Sequence, residues 1–150
     1  MLDIEPLIRI KNEILYCVGN CTLGIKDALL FHGLELLKMA LDQGALAILC
    51  SALHYKSILT ESDSLKVALD SLGFYFKFFR KAKSSKQKEV LDSFGAIFDQ
   101  MVSKFEDEGL DALESCQYHS DPQVYRMSQK ILLKNFELDS DNEPIIQLIN

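Results

Sequence analysis

EDEGLDALESCQYHSDPQVYRMSQKILLKNF, from Glu106 to Phe136, reads as two amphipathic helices meeting at a tight Ser120-Asp121-Pro122 junction. Ser120 or Asp121 can accept a hydrogen bond from the unpaired amides of the second helix. Pro122 fits its first turn without losing a bond, and Gln123 stands three places after Ser120 as in a capping box. Each helix carries a narrow apolar stripe: Leu110, Leu113 and Cys116 on the first, then Val124, Met127 and Ile131, with Leu132 and Phe136 beside them. Stripes this narrow cannot close a core alone, so both helices must lean on neighbours, as in a stacked helical repeat.

Working outward, helical periodicity runs nearly throughout and β-branched alternation is almost absent, which makes the chain all-α. A first helix is expected over 7–21, with Pro6 near its first turn, Ile10, Ile14, Cys17 and Cys21 facing inward, and Gly24 as a stop. A second segment runs from about Ile25 to Leu41, where Gly33 costs ~1 kcal/mol relative to Ala and invites a break. Gly44 allows the turn into Ala45–Leu53. Thr60, Glu61, Ser62 and Asp63 offer caps for a strong helix ending near Lys81, whose Leu65, Leu69, Leu72, Phe76 and Phe79 mark it as the buried centre. The cations Lys77, Arg80, Lys81, Lys83, Lys86 and Lys88 read as a solvated helix end. Val90, Phe94, Ile97, Phe98 and Met101 then announce a further helix before Glu106.

A 150-residue chain with 48% hydrophobic residues can bury a sizeable core as one domain. Its formal net charge of -6 argues against a general binder of nucleic acid and suits a partner rich in Lys and Arg. The four cysteines, at 17, 21, 50 and 116, include no CxxC pair, and His32, His54 and His119 show no zinc-ligand spacing, so neither metal nor cofactor is expected. Reduced thiols fit the cytosol or nucleus, with Cys17 and Cys21 packed in the core. Asp3 and Glu5 stand where a signal peptide would be basic, and no apolar run reaches the ~18 residues of a membrane span. The one enzymatic constellation, Cys116, His119 and Asp121, has no oxyanion donor or orienting group placed by the sequence, so no catalytic role is assigned.

GLDALESCQYHSDPQVYRMSQKILLKNF resembles the last armadillo repeat of the importin-α family, in its Gly-Leu-acid start, its Gln-x-His before the turn and its Val-Tyr opening the final helix. KNEILYCVGN (Lys11–Asn20) is similar to that family's Lys-x-Glu helix with Trp and, four places later, Asn; here Tyr16 takes the Trp position. DQGALAIL (Asp42–Leu49) and SLKVALDSLGFYFKFF (64–79) are similar to further pieces of its repeats, in the same order. An internal echo sets QGALAIL (43–49) beside DEGLDAL (107–113), aligning Leu46 with Leu110 and Leu49 with Leu113.

The resemblance implies the C-terminal portion of a right-handed armadillo superhelix, an α-solenoid. The repeat domain would cover 1–138: 7–21 as the last helix of an incomplete repeat, 25–82 as one repeat and 86–138 as the C-terminal repeat, with 139–150 an acidic and apolar tail. A repeat cut short exposes an apolar flank on the first helix, so weak self-association is expected.

It also implies an adaptor for nuclear protein import, working in cytoplasm and nucleus. Glu13, Tyr16 and Asn20 share one helix stripe and would line the groove that holds a basic nuclear localisation signal of a cargo protein. Asn can bond the main chain of an extended peptide, the aromatic face attracts a Lys ammonium by ~0.5–1 kcal/mol, and Glu supplies counter-charge. Asp70 and Phe74 stand where a second such rung is wanted, leaving a single rung. The C-terminal repeat would meet importin-β-type receptors, including the importin-α export receptor, through the acidic patch of Glu106, Asp107, Glu108, Asp111 and Glu114. The alternative from a different class is an unrelated armadillo- or HEAT-type interaction scaffold.

Overall fold

The computed structural model describes residues 4–54, 62–85 and 87–136, and every element within them is helical. The elements are α1 (Ile4–Lys26), α2 (Leu30–Asp42), α3 (Ala45–His54), α4 (Ser62–Lys83), α5 (Lys88–Glu108), α6 (Leu110–Ser115) and α7 (Pro122–Asn135). A short 3-10 turn, Cys116–Tyr118, joins the last two. The expected all-α class holds. Thr60, Glu61, Lys86 and the 139–150 tail lie outside the described residues.

Local chemistry sets most of the boundaries. Asp121, not Ser120, caps α7: its carboxylate accepts the Gln123 amide at 2.9 Å, and Pro122 follows in the first turn. Gly44 turns the chain between α2 and α3 at φ +92°, where a side chain would be strained. Two glycine readings need correction. Gly24 does not stop α1, which runs on to Lys26 and so brings Ile25 into the core. Gly33 does not break α2; a Cβ there would lie 2.8 Å from Phe78 Cζ, so the glycine serves close helix packing.

The expected buried centre is α4, which packs against α1, α3, α5 and α7. Leu65, Leu69, Leu72, Tyr75, Phe76 and Phe79 are all within 3% of full burial, and each large apolar side chain so enclosed contributes roughly 1.5–3 kcal/mol. An aromatic seam continues the core sideways: Phe79 meets Phe98 with ring centroids 4.3 Å apart, and Phe76 meets Phe105 edge to face at 5.2 Å.

Corresponding elements meet. The α2 and α5 helices touch, with Phe31 edge-on to Phe94, and α3 touches α6. Ser62 at the start of α4 donates to Asp121 at the start of α7, while Arg80 near the end of α4 donates to Asn135 at the end of α7, so these two helices run parallel. The α1 and α4 helices are parallel too: a Cβ on Gly19 would press on Val67, Thr22 meets Ser71 and Tyr75, and Lys26 meets Asp70.

The inward face of α1 is not the expected one. Leu15, Thr22 and Ile25 are buried and Val18 half-buried, whereas Ile10, Ile14, Cys17 and Cys21 are exposed, about a quarter turn away. Thr22 can face the core because its hydroxyl donates to the Val18 carbonyl at 2.9 Å and stands 3.3 Å from the Tyr75 hydroxyl. Cys17 and Cys21 are therefore surface thiols, and the exposed flank expected on this helix is the stripe they share with the two isoleucines.

Candidate functional site

Because α1, α4 and α7 lie side by side and parallel, their outward faces form one surface, and the side chains on it come from segments far apart in sequence. On α1, Glu13, Tyr16 and Asn20 are exposed, Tyr16 at 40%, and they point away from the buried face of that helix. The stripe read from their spacing exists as a solvent-facing ridge.

The place where a second rung would be wanted is occupied from within. Lys26, at the end of α1, brings its Nζ 3.5 Å from Asp70 Oδ2 and 5.3 Å from the centre of the Phe74 ring. This acid and aromatic already hold a lysine, through a partly exposed ion pair worth about 1 kcal/mol or less and a cation–π contact of similar size.

Between α4 and α7 the surface dips into a cleft of about 290 Å³. Gly73, Leu69, Met127 and Ile131 give it an apolar floor, and Phe74 forms part of one wall. Its rim carries five cations, Lys26, Lys77, Arg80, Lys130 and Lys134, against the single carboxylate of Asp70. Arg80 is tied down, donating to the Asn135 side chain and to the Lys134 carbonyl, where it complements the carboxyl end of α7. The ammonium groups of Lys77, Lys130 and Lys134 have no carboxylate partner among the described residues. The Lys134 ammonium is held below the usual lysine range, first by Lys130 a turn away, then by some loss of hydration, Arg80 and Lys77.

A polar knot fixes the other end of the same helix pair. Asp121 accepts from the Ser62 hydroxyl, from Lys66 at 2.9 Å and from the Gln123 amide, and these bonds, the serine's first, hold its carboxyl well below the usual range. The cap of α7 is thus also its clamp to α4.

The proposed acidic patch is real as a surface: Glu106, Asp107 and Glu108 at the end of α5 and Asp111 and Glu114 on α6 are all exposed. His54 reaches it, its Nε2 lying 2.8 Å from the Glu108 carbonyl oxygen. The members of the Cys116, His119 and Asp121 grouping are engaged locally. The Cys116 thiol is buried and donates to the Ala112 carbonyl, and the His119 ring accepts the Asp121 amide at 3.0 Å. Among the described residues no group of three His, Cys, Asp or Glu is arranged to hold a metal, and no single helix is long and apolar enough to cross a membrane.

Sequence reading assigned the cations from Lys77 to Lys88 to one solvated helix end, and the structure divides them. Lys77 and Arg80 line the cleft, Lys83 pairs with Asp99, and Lys81 and Lys88 are exposed. Lys130 and Lys134 were missed; their spacing of four on a helix was the available signal, since it puts both on one face. No family model, no curated protein and no solved structure matches the chain.

Proposed function

We propose that the chain is a protein-interaction module built from stacked three-helix repeats of the armadillo kind, offering the α1, α4 and α7 face to a partner. The observation that carries this is that corresponding helices of successive triplets touch, α2 with α5, α3 with α6 and α4 with α7, with α1 ranked before α4, while α3 and α4 also reach α5. In a stacked repeat each unit meets its neighbour through equivalent elements, and the row of helices along the concave face is left for binding. The echo of Leu46 and Leu49 in Leu110 and Leu113 supports the same reading, since α3 and α6 bear these residues and touch.

The resemblance favours an importin-α-like nuclear import adaptor within this class, with Glu13, Tyr16 and Asn20 holding a basic localisation signal and the Glu106 to Glu114 patch meeting an importin-β-type receptor. One observation favours the second reading, an unrelated armadillo- or HEAT-type scaffold: the cations along the α4–α7 cleft repel a basic peptide on the very face where it would continue beyond α1. Titrating a bipartite basic peptide against the wild type, Tyr16→Ala and Asn20→Ala separates the two. The adaptor requires both substitutions to weaken binding, and equal affinity in all three proteins removes it.

A further inference from the structure

The cleft between α4 and α7 is more positive than either its position or the chain as a whole accounts for. The chain carries a formal -6, yet among the described residues five cations and a single carboxylate line this one pocket. Helix ends explain part of this. Arg80 donates to the Lys134 carbonyl near the end of α7, and Lys134 lies in the last turn, where a cation complements the helix dipole. Lys77 and Lys130 stand a turn or more before the ends of α4 and α7, and neither pairs with a carboxylate among the described residues.

We infer that this cleft binds an extended acidic peptide of a partner protein, its carboxylates on Lys77, Lys130 and Lys134 and its apolar side chains on Phe74, Met127 and Ile131. This deepens the interaction-module reading and rests on it. The pitch suits the ligand: Lys130 and Lys134 lie about 6 Å apart along the helix axis, close to the ~6.6 Å between alternate residues of an extended chain. Acids at every second position then meet successive lysines, and the residues between them turn toward the floor or solvent. The mutual repulsion that depresses Lys134 is relieved when carboxylates arrive.

A nucleic acid fits less well. A phosphate backbone needs a basic stripe or face, and here the positive region is one cleft of about 290 Å³ on a protein of pI near 5.0. The apolar floor also has no use for phosphates.

Fluorescence anisotropy of labelled ten-residue probes on the full chain tests this, with an alternating Asp/Leu peptide, its Asn/Leu counterpart, a Lys-rich peptide and a single-stranded oligonucleotide. The acidic peptide is expected to bind in a salt-sensitive way and the neutral one not. Lys130→Glu/Lys134→Glu should weaken it about tenfold or more, while Tyr16→Ala leaves it unchanged. Equal binding by the charge-reversed protein, or tighter binding of the oligonucleotide, overturns the inference. If only the Lys-rich peptide binds, lost in Tyr16→Ala, the cleft assignment falls and the interaction module stands. A chain with Glu137, Asp139, Asp141 and Glu143 changed to their amides covers one other occupant. If the acidic peptide binds that chain alone, the chain's own tail is the ligand and the partner assignment is overturned.

Discussion

Replacing Gly33 and Gly95 by alanine, one at a time, sets helix propensity against packing in two chemically identical substitutions. Both lie inside helices, α2 and α5, where alanine is favoured over glycine by about 1 kcal/mol through propensity and a less disordered unfolded chain. Gly95 has nothing within 4 Å of where its Cβ would stand, so that gain is kept in full. At Gly33 the new methyl would lie 2.8 Å from Phe78 Cζ, well inside the ordinary carbon contact of roughly 3.5–4.0 Å. Phe78 cannot swing aside freely, because it is 8% exposed and its ring stacks on Phe74 at 5.3 Å. Overpacking of this kind costs about 1–3 kcal/mol, so the balance at Gly33 is a destabilisation of roughly 1 kcal/mol. The two variants should therefore differ by about 2 kcal/mol in urea unfolding followed by circular dichroism, or by several degrees in melting temperature. Gly33→Ala as stable as Gly95→Ala would refute the close seating of α2 on α4.

Three further outcomes follow from the buried and capping groups. Tyr75→Phe removes the hydroxyl that Thr22 faces at 3.3 Å but leaves Thr22 its bond to the Val18 carbonyl, so the loss should be about 0.5–1.5 kcal/mol in urea unfolding; an unchanged midpoint would mean the hydroxyl contact contributes nothing. A thiol reagent at neutral pH should modify Cys17 and Cys21 readily and reach buried Cys50 and Cys116 only on unfolding, with Cys50 further protected because burial, then the Glu108 charge, push its thiol up to about 11; four equally fast thiols would contradict the fold. The folded-state Asp121 carboxyl is depressed, so its contribution is complete above the unfolded value of about 3.9 and is lost as pH falls toward the folded one. Asp121→Asn should therefore lower stability at neutral pH and flatten the acid limb of the urea midpoint, and an acid limb parallel to wild type would show that other carboxylates set it.

Much of the fold was legible because its signals are local. Pro122 after a capping acid, Gly44 before an apolar run and the leucines and phenylalanines of α4 each speak through a few neighbouring residues. The faces of α1 were not legible, since two stripes share its helical period. The more apolar one, Ile10 to Cys21, faces out, and the one containing Thr22 faces in, because Ser71 and Tyr75, some fifty residues away, supply polar neighbours for its hydroxyl. The ridge of Glu13, Tyr16 and Asn20 could be read from spacing on one helix. The α4–α7 cleft could not, because its cations come from three helices and share a surface only once α1, α4 and α7 are ranked together.

Lys26, lodged against Asp70 and Phe74, sets the terms on which any other cation could reach that pair. A tethered side chain presents itself at an effective concentration on the order of millimolar or higher, so a free lysine or a basic peptide must outcompete an opponent that never diffuses away. Discrimination against positively charged visitors at this spot thus comes from a resident competitor.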